Sequence, residues 1–259
     1  MTGLLPEFTD DHAEALTLLR RDGAVCIRNA GIEASDATGL GHRLFGDKVL
    51  TIPEAARVFE GGEKDQYVEL DHRNPLRPHT DGFAYGDRYP DFISLNCVRS
   101  SPNGGESFLV DGYALLDQLH NDTETRWLAE ALSSTPVDQT EENMQVSQSC
   151  IVQQSPSGRK MLRRNFSTKP LKTSQQPDQD QLMIDSWVRA VDAAGKSAPR
   201  FKLEPGDALV IDNYRVLHAR EGYEDLNRMM WRVWIWTDEC LGVPDMPLHS
   251  DSRFATADA

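Results

Sequence analysis

The feature that most constrains the fold of this 259-residue chain is a short motif, His79-Thr80-Asp81, with a candidate partner, His218, far along the sequence. In an extended strand, residues i and i+2 point to the same side, so His79 and Asp81 can reach one point in space. His218 can join them only if two strands that are distant in sequence lie together. Two imidazoles and one carboxylate form the three-ligand face typical of non-haem Fe(II) sites.

Each part of this pattern also has a simpler interpretation. His79 and Asp81 could be a surface histidine and a turn aspartate, and His218 could cap hydrogen bonds at the end of a strand. Arg228 and Arg232 lie in RMMWRVWIW, which we predict to be a strand with apolar residues on both faces and with both arginines and Trp234 on the same face. An arginine buried there is costly unless it is paired. Its partner could be an internal carboxylate or the carboxylate of a bound molecule.

Composition narrows the class of protein. Hydrophobic residues make up 39% and charged residues 26%, which is ordinary for a soluble globular protein. No apolar run approaches the roughly 18 residues that span a bilayer, and the N-terminus does not have the pattern of a secretory signal. A net charge of −14 argues against a nucleic-acid partner and is compatible with a cationic or zwitterionic small substrate. We therefore expect a cytoplasmic protein with a small-molecule substrate and no membrane partner, and we leave open whether it forms a homo-oligomer.

Periodicity predicts strands towards both ends of the chain, with helices inserted between them. Helices are expected near 11–21, 35–45, 113–120, 123–132 and 181–194. The pattern indicates a single domain, 1–259, that is mainly β with an α-helical cover: a double-stranded β-helix, or jelly roll. The polar segment 134–180 is interpreted as a lid or as a surface insertion with a long loop at 166–180, and 242–259 as an extended or frayed tail.

Three segments carry a resemblance to a known family: PHTDG, FISLNCVRSSPNGGESFLVDG and GDALVIDNYRVLHAREGYEDLNRMMWRVW. Their order and spacing resemble those of the taurine dioxygenase and γ-butyrobetaine hydroxylase family. These proteins are Fe(II)- and 2-oxoglutarate-dependent oxygenases with a clavaminate-synthase-like fold.

The resemblance implies a role for each matching residue. His79, Asp81 and His218 would hold iron, and Arg228 would bind the distal carboxylate of 2-oxoglutarate. Ser107 would assist Arg228, and Arg232 would contact either the co-substrate or an anionic group of the prime substrate.

The implied reaction consumes O2 and 2-oxoglutarate, releases succinate and CO2, and oxidises a small polar metabolite or biosynthetic intermediate, most simply by hydroxylation. Two alternatives stay open from the residues alone. One is a metal-dependent hydrolase with the same three ligands, and the other is a non-catalytic jelly-roll binding protein with structural histidines.

Overall fold

The computed structural model describes residues 2–58, 74–225, 227–245, 247 and 249–250. In these residues the helices are α1 (His12–Asp22), α2 (Ala34–Phe45), α3 (Gly112–Asn121), α4 (Arg126–Ser134) and α5 (Pro177–Ser197). The strands of the first half are β1 (Gly3–Leu4), β2 (Glu7–Thr9), β3 (Ala24–Ile27), β4 (Val49–Thr51), β5 (Ala56–Val58), β6 (Leu76–His79), β7 (Phe92–Arg99) and β8 (Ser107–Asp111). Those of the second half are β9 (Pro136–Asp138), β10 (Gln148–Cys150), β11 (Val152–Gln154), β12 (Lys160–Leu162), β13 (Lys169–Pro170), β14 (Ala208–Asp212), β15 (Val216–Arg220) and β16 (Met229–Thr237).

Two main sheets form the double-stranded β-helix that the sequence predicts. The larger has the order β2-β3-β14-β7-β16-β4, with β5 also paired to β16, and the smaller has the order β1-β8-β15-β6. Strands that are neighbours in these sheets are mostly distant in the chain, as in a jelly roll. Two smaller sheets, β10-β9-β13 and β11-β12, come from the segment interpreted as a lid or insertion.

The apolar residues divide into three layers. Side chains of both main sheets, among them Leu109 and Trp234, meet in a central core. The outer face of the larger sheet packs against α1 and α2 through residues such as Val233. The outer face of the smaller sheet packs against α3, α4 and α5 through residues such as Leu217. Strand β16 is covered on both faces, which explains why apolar residues occupy both sides of its sequence.

Local sequence signals set the ends of the helices. Asp11 caps α1 by accepting hydrogen bonds from the backbone of Ala13 and Glu14. Asp111 caps α3 in the same way, and Pro177 opens α5 at a position where a missing N–H is tolerated. The five predicted helices are confirmed, although α5 begins earlier and ends later than expected. No helix in the described ranges is long and apolar enough to cross a membrane.

Two expectations need correction. The segment 166–180, expected as one long loop, contains β13 and the first residues of α5. The described part of the predicted tail does not fray: Ser250 is fully buried, and its backbone N–H donates to the carbonyl of Glu54. A short segment far from any periodic pattern acquires its order from long-range contacts that the sequence does not display. Residues 246, 248 and 251–259 of that tail lie outside the described residues.

Candidate metal centre

Strands β6 and β15 are neighbours in the smaller sheet, and their register places His79 directly opposite His218. The two imidazole rings are 4.2 Å apart between centroids. Because directly paired residues of antiparallel strands point to the same side, both rings face the space between the main sheets. The pairing of two distant strands therefore supplies both nitrogen ligands.

Asp81 completes the group from the turn after β6. Its Oδ1 atom lies 3.4 Å from His79 Nε2 and 3.7 Å from His218 Nε2, and the ligand atoms of the three residues lie within 4.8 Å of one another. Gly82 follows with φ +92°, and a Cβ there would come within 2.2 Å of Pro90. Glycine is therefore required for the sharp turn that brings Asp81 back over the histidines.

The donor set fits a ferrous ion. His79 Nδ1 donates to the carbonyl of Arg77 at 3.0 Å, which orients the ring so that Nε2 is directed at Asp81. Burial, reinforced by His79, lowers the pKa of His218 to about 3, so its ring is neutral at physiological pH. Two imidazoles and a carboxylate match the 2-His-1-carboxylate face of non-haem iron sites.

The outer oxygen of Asp81 is held by the larger sheet. Its Oδ2 atom accepts from Trp234 Nε1 at 3.0 Å and lies 3.2 Å from an Arg232 guanidinium nitrogen. Burial alone would raise the pKa of Asp81, but Arg232 and the two histidines hold it well below its usual value. The carboxylate is therefore charged, with Oδ1 turned towards the histidines.

The backbone of Asp81 is fixed by Asn213, a fully buried residue that sequence reasoning missed. Asn213 accepts from the Asp81 N–H at 2.9 Å and donates to the Asp81 carbonyl at 3.1 Å. It also donates to the carbonyl of Pro90 at 2.8 Å. A buried amide directly after β14 was a weak signal, because its partners come from a distant turn.

Arg228 is buried one residue before β16 begins, so it lies at the start of the predicted strand and not within it. It lines a small cavity together with Ser107, Gly105 and Cys97. No ion pair joins Arg228 to an acidic side chain in the described part of the chain, and burial lowers its pKa. The sequence analysis expected Arg228 and Ser107 to act together, and the structure places them around one cavity.

The same cavity stands next to the metal residues in the smaller sheet. Leu109 of β8 pairs with His218, and Ser107 pairs with Arg220. One two-residue step along a strand, roughly 7 Å, therefore separates Ser107 from the residue opposite His218, on the same face. Arg220, which the sequence analysis did not single out, shares this face. Burial and the proximity of Arg228 contribute to lowering its pKa to about 10.

Arg232 does not join that cavity. Besides Asp81, its Nε atom donates to the backbone carbonyl of Ser250 at 2.9 Å. Its ring contact is with Trp234, whose indole lies 4.9 Å from the guanidinium carbon. The structure therefore brings Arg232 to the metal centre and separates it from Arg228, although both were expected on one strand face.

Parts of the segment 134–180 lie beside this centre. The ring of the half-exposed Phe166 lies 5.7 Å from that of His79, and the backbone carbonyl of Arg164 accepts from the Thr80 N–H at 3.1 Å. The carboxylate of Glu141 interacts electrostatically with Asp81 and His79. Sequence reasoning identified the segment but not Phe166 or Glu141, because nothing in a polar loop indicates which residues lie near the metal ligands.

A jelly roll with a His-Asp-His face between its sheets is typical of non-haem iron oxygenases. Residues 4–234 match the family described as taurine catabolism dioxygenase TauD, TfdA family. The chain belongs to this family, whose members are 2-oxoglutarate-dependent non-haem iron dioxygenases.

Individual relatives are distant. Human γ-butyrobetaine dioxygenase is 27% identical over 232 residues, which are 83% of this chain and 57% of the relative. The chain thus spans little more than half the length of this curated relative. A taurine dioxygenase from Burkholderia xenovorans has a similar fold, with a TM-score of 0.66 and 18% identity over 89% of this chain and 83% of its own. An asparagine oxygenase solved with Fe(II), 3-hydroxyasparagine and succinate gives a TM-score of 0.61 at 16% identity, over 87% and 79% of the two chains.

Proposed function

We propose that this chain is an Fe(II)- and 2-oxoglutarate-dependent dioxygenase that oxidises, most simply by hydroxylation, a small polar metabolite or biosynthetic intermediate. The observation that carries the proposal is the convergence of His79, Asp81 and His218 beside a buried Arg228 with no acidic partner among the described residues. A hydrolase would need the three ligands but no second cavity around a buried arginine. Relatives named for taurine, γ-butyrobetaine and asparagine support a small substrate.

Each residue has a part in this proposal. His79, Asp81 and His218 would hold the ferrous ion, and Arg228 with Ser107 would bind the distal carboxylate of 2-oxoglutarate through a charge-assisted pair and a hydroxyl donor. Arg232 would keep Asp81 charged and oriented, and it would contact an anionic group of a substrate placed against the metal. Bound iron with 2-oxoglutarate would supply the oxidising chemistry, consuming O2 and releasing succinate and CO2.

The side chains around the metal ligands would orient Asp81 and limit the access of water. Trp234 and Asn213 fix the side chain and the backbone of Asp81, so the open side of the metal face has a defined direction. Phe166 and the loop that carries Glu141 lie beside the metal ligands and would limit the contact of this side with water. A fixed geometry in a partly dry site is what these residues contribute to the reaction.

Anaerobic loading tests the proposal directly. Protein reconstituted with Fe(II) should develop a visible absorption band when 2-oxoglutarate is added, and the band should shift when a substrate from a metabolite panel binds. Admission of O2 should then yield succinate in proportion to oxidised product. Stoichiometric iron with no 2-oxoglutarate band, or turnover of an ester or amide without 2-oxoglutarate, would replace the oxygenase by a hydrolase. Absence of any bound metal would favour a binding protein.

A further inference from the structure

The loop between β9 and β10 carries two adjacent acidic residues with different surroundings. Glu141 is half-buried and interacts electrostatically with Asp81 and His79, whereas Glu142 is exposed. One carboxylate of the pair is therefore turned towards the metal centre and the other towards solvent. The difference makes Glu142 a natural reference for any role of Glu141.

The fold fixes the position of this loop. The Gln139 N–H donates to the carbonyl of Ser147 at 2.8 Å and closes the loop at its base. The Gln145 N–H donates to the carbonyl of Ala84 at 3.3 Å, in the turn that follows the metal ligands. Gly86 has φ +57°, and a Cβ there would meet the carbonyl of Val146 at 2.7 Å. The loop is therefore packed against the metal-ligand turn, which fixes the position of the backbone that carries Glu141.

The charge of Glu141 is not paired within the described structure. Its carboxylate has no hydrogen bond or ion pair there, and the two nearby cations are already engaged. Arg163 donates to Asp87 at 2.8 Å and to Ser147, and Arg232 is paired with Asp81.

Burial, with a contribution from the charge of Asp81, raises the pKa of Glu141. A half-buried carboxylate that the protein leaves unpaired is unfavourable for stability and typical of ligand-binding positions.

We propose, on the basis of the proposed function, that Glu141 binds a cationic nitrogen of the prime substrate, which is therefore a small amine or zwitterion. The charge layout of the centre supports this assignment. Arg232 is paired with Asp81, so a divalent ion on the three ligands would leave the centre with positive charge that disfavours an ammonium group against the metal. Glu141 provides the opposite charge on the covering loop, so a substrate can place its nitrogen there and its oxidised carbon towards the metal. The net charge of −14 favours the approach of such a molecule.

Binding without turnover tests the assignment. Protein loaded with Zn(II) and N-oxalylglycine is titrated by calorimetry with matched pairs of probes: α-amino acids, ω-amino acids, taurine and diamines, each against its N-acetyl counterpart. We expect at least one amine to bind at least tenfold more tightly than its acetylated form. Glu141→Gln should weaken the binding of that amine at least tenfold, and Glu141→Asp, which keeps the charge, should weaken its binding less. Glu142→Gln removes the same charge from the same loop and should bind like the wild type.

The outcomes separate this inference from the function on which it rests. If N-oxalylglycine does not bind the wild type, the proposed function is refuted. If it binds the wild type and every variant equally, any change in amine binding is due to Glu141. The assignment is overturned if no amine of the panel binds the wild type, or if Glu141→Gln binds amines as the wild type does. It is also overturned if Glu141→Gln only lowers the melting temperature of the ligand-free protein, because Glu141 would then merely balance Arg163.

Discussion

Asp81 and Asp91 are two buried aspartates of the same jelly roll, and they differ in how completely the charges around them are paired within the protein. Asp91 accepts from both the backbone N–H and the hydroxyl of Thr237 and is paired with Arg159 at 3.2 Å. Arg159 is in turn paired with Asp212. Every charge in this cluster has a protein partner.

By comparison, the charges around Asp81 are only partly paired with one another among the described residues. Asp81 uses Oδ2 for Trp234 and Arg232 and leaves Oδ1 to two imidazole nitrogens. Nearby, neither Arg228 nor Glu141 forms an ion pair with another side chain within the described ranges. The comparison shows that buried charge alone does not mark a functional site; buried charge that the protein leaves unmatched does.

The largest expected contrast comes from removing each carboxylate. Asp81→Ala should abolish iron binding and succinate formation while the protein stays folded. Asp91→Ala should still bind iron but lose about 3 kcal/mol of unfolding free energy, because it leaves Arg159 short of one buried partner. Iron stoichiometry and urea unfolding measure the two effects. Full activity of Asp81→Ala would remove the basis of the comparison.

Substitution of Arg228 tests whether a buried arginine without an acidic partner binds a ligand carboxylate. Arg228→Ala should weaken 2-oxoglutarate binding by about 1.5–3 kcal/mol, or roughly 10- to 100-fold, because one charge-assisted contact is lost. Anaerobic titration of the visible band gives the dissociation constant. Arg99→Ala removes an exposed arginine, paired in register with Met229, and serves as the control. Equal affinity in both variants would contradict the assignment.

The contribution of Asp91 to folding stability should change with pH in a direction that follows from its pKa. Burial raises the pKa of Asp91 to about 6 from an ordinary 3.8, against the opposing effect of Thr237 and Arg159. The folded state therefore holds this proton more tightly than the unfolded state, and the contribution of Asp91 to stability falls as pH rises from about 4 to about 6. The expected loss is on the order of 3 kcal/mol.

Asp91→Asn should remove this decline, which urea unfolding of the metal-free protein between pH 4 and 7 can measure. Asp81 has a lowered pKa, so its contribution has the opposite sign: it is present above about 4 and lost as pH falls further. The difference between the wild-type and Asp91→Asn curves isolates Asp91. Parallel curves over this range would show that its proton is bound equally in both states.

The smallest effect concerns the bond that orients the metal-binding carboxylate. Trp234→Phe removes only the Nε1–H donor to Asp81 and should weaken Fe(II) binding about tenfold. Trp236→Phe is the matched control, because its Nε1–H donates to the carbonyl of Arg88. Fe(II) affinity measured by competition with a chelator distinguishes the two. A similar loss in both variants would indicate a general packing effect instead of ligand orientation.

The sequence could predict what depends on short-range periodicity. The i, i+2 spacing placed His79 and Asp81 on one side, and alternation along β16 put Trp234 on the face of Arg232, where the structure has both. Capping and helical periodicity located the five helices within a few residues. These features are local, because backbone geometry and the burial of one face decide them.

Only the tertiary structure decided which distant groups meet. The pairing of β6 with β15 made His218 a partner of His79. The packing of the larger sheet against the smaller one brought Arg232 to Asp81, whereas Arg228 lines another cavity. The buried Ser250 and the inward Glu141 carry no local signal at all. Residue type and spacing fix what a side chain can bind, whereas the packing of strands far apart in sequence fixes what it does bind, because those contacts form only when the whole core closes.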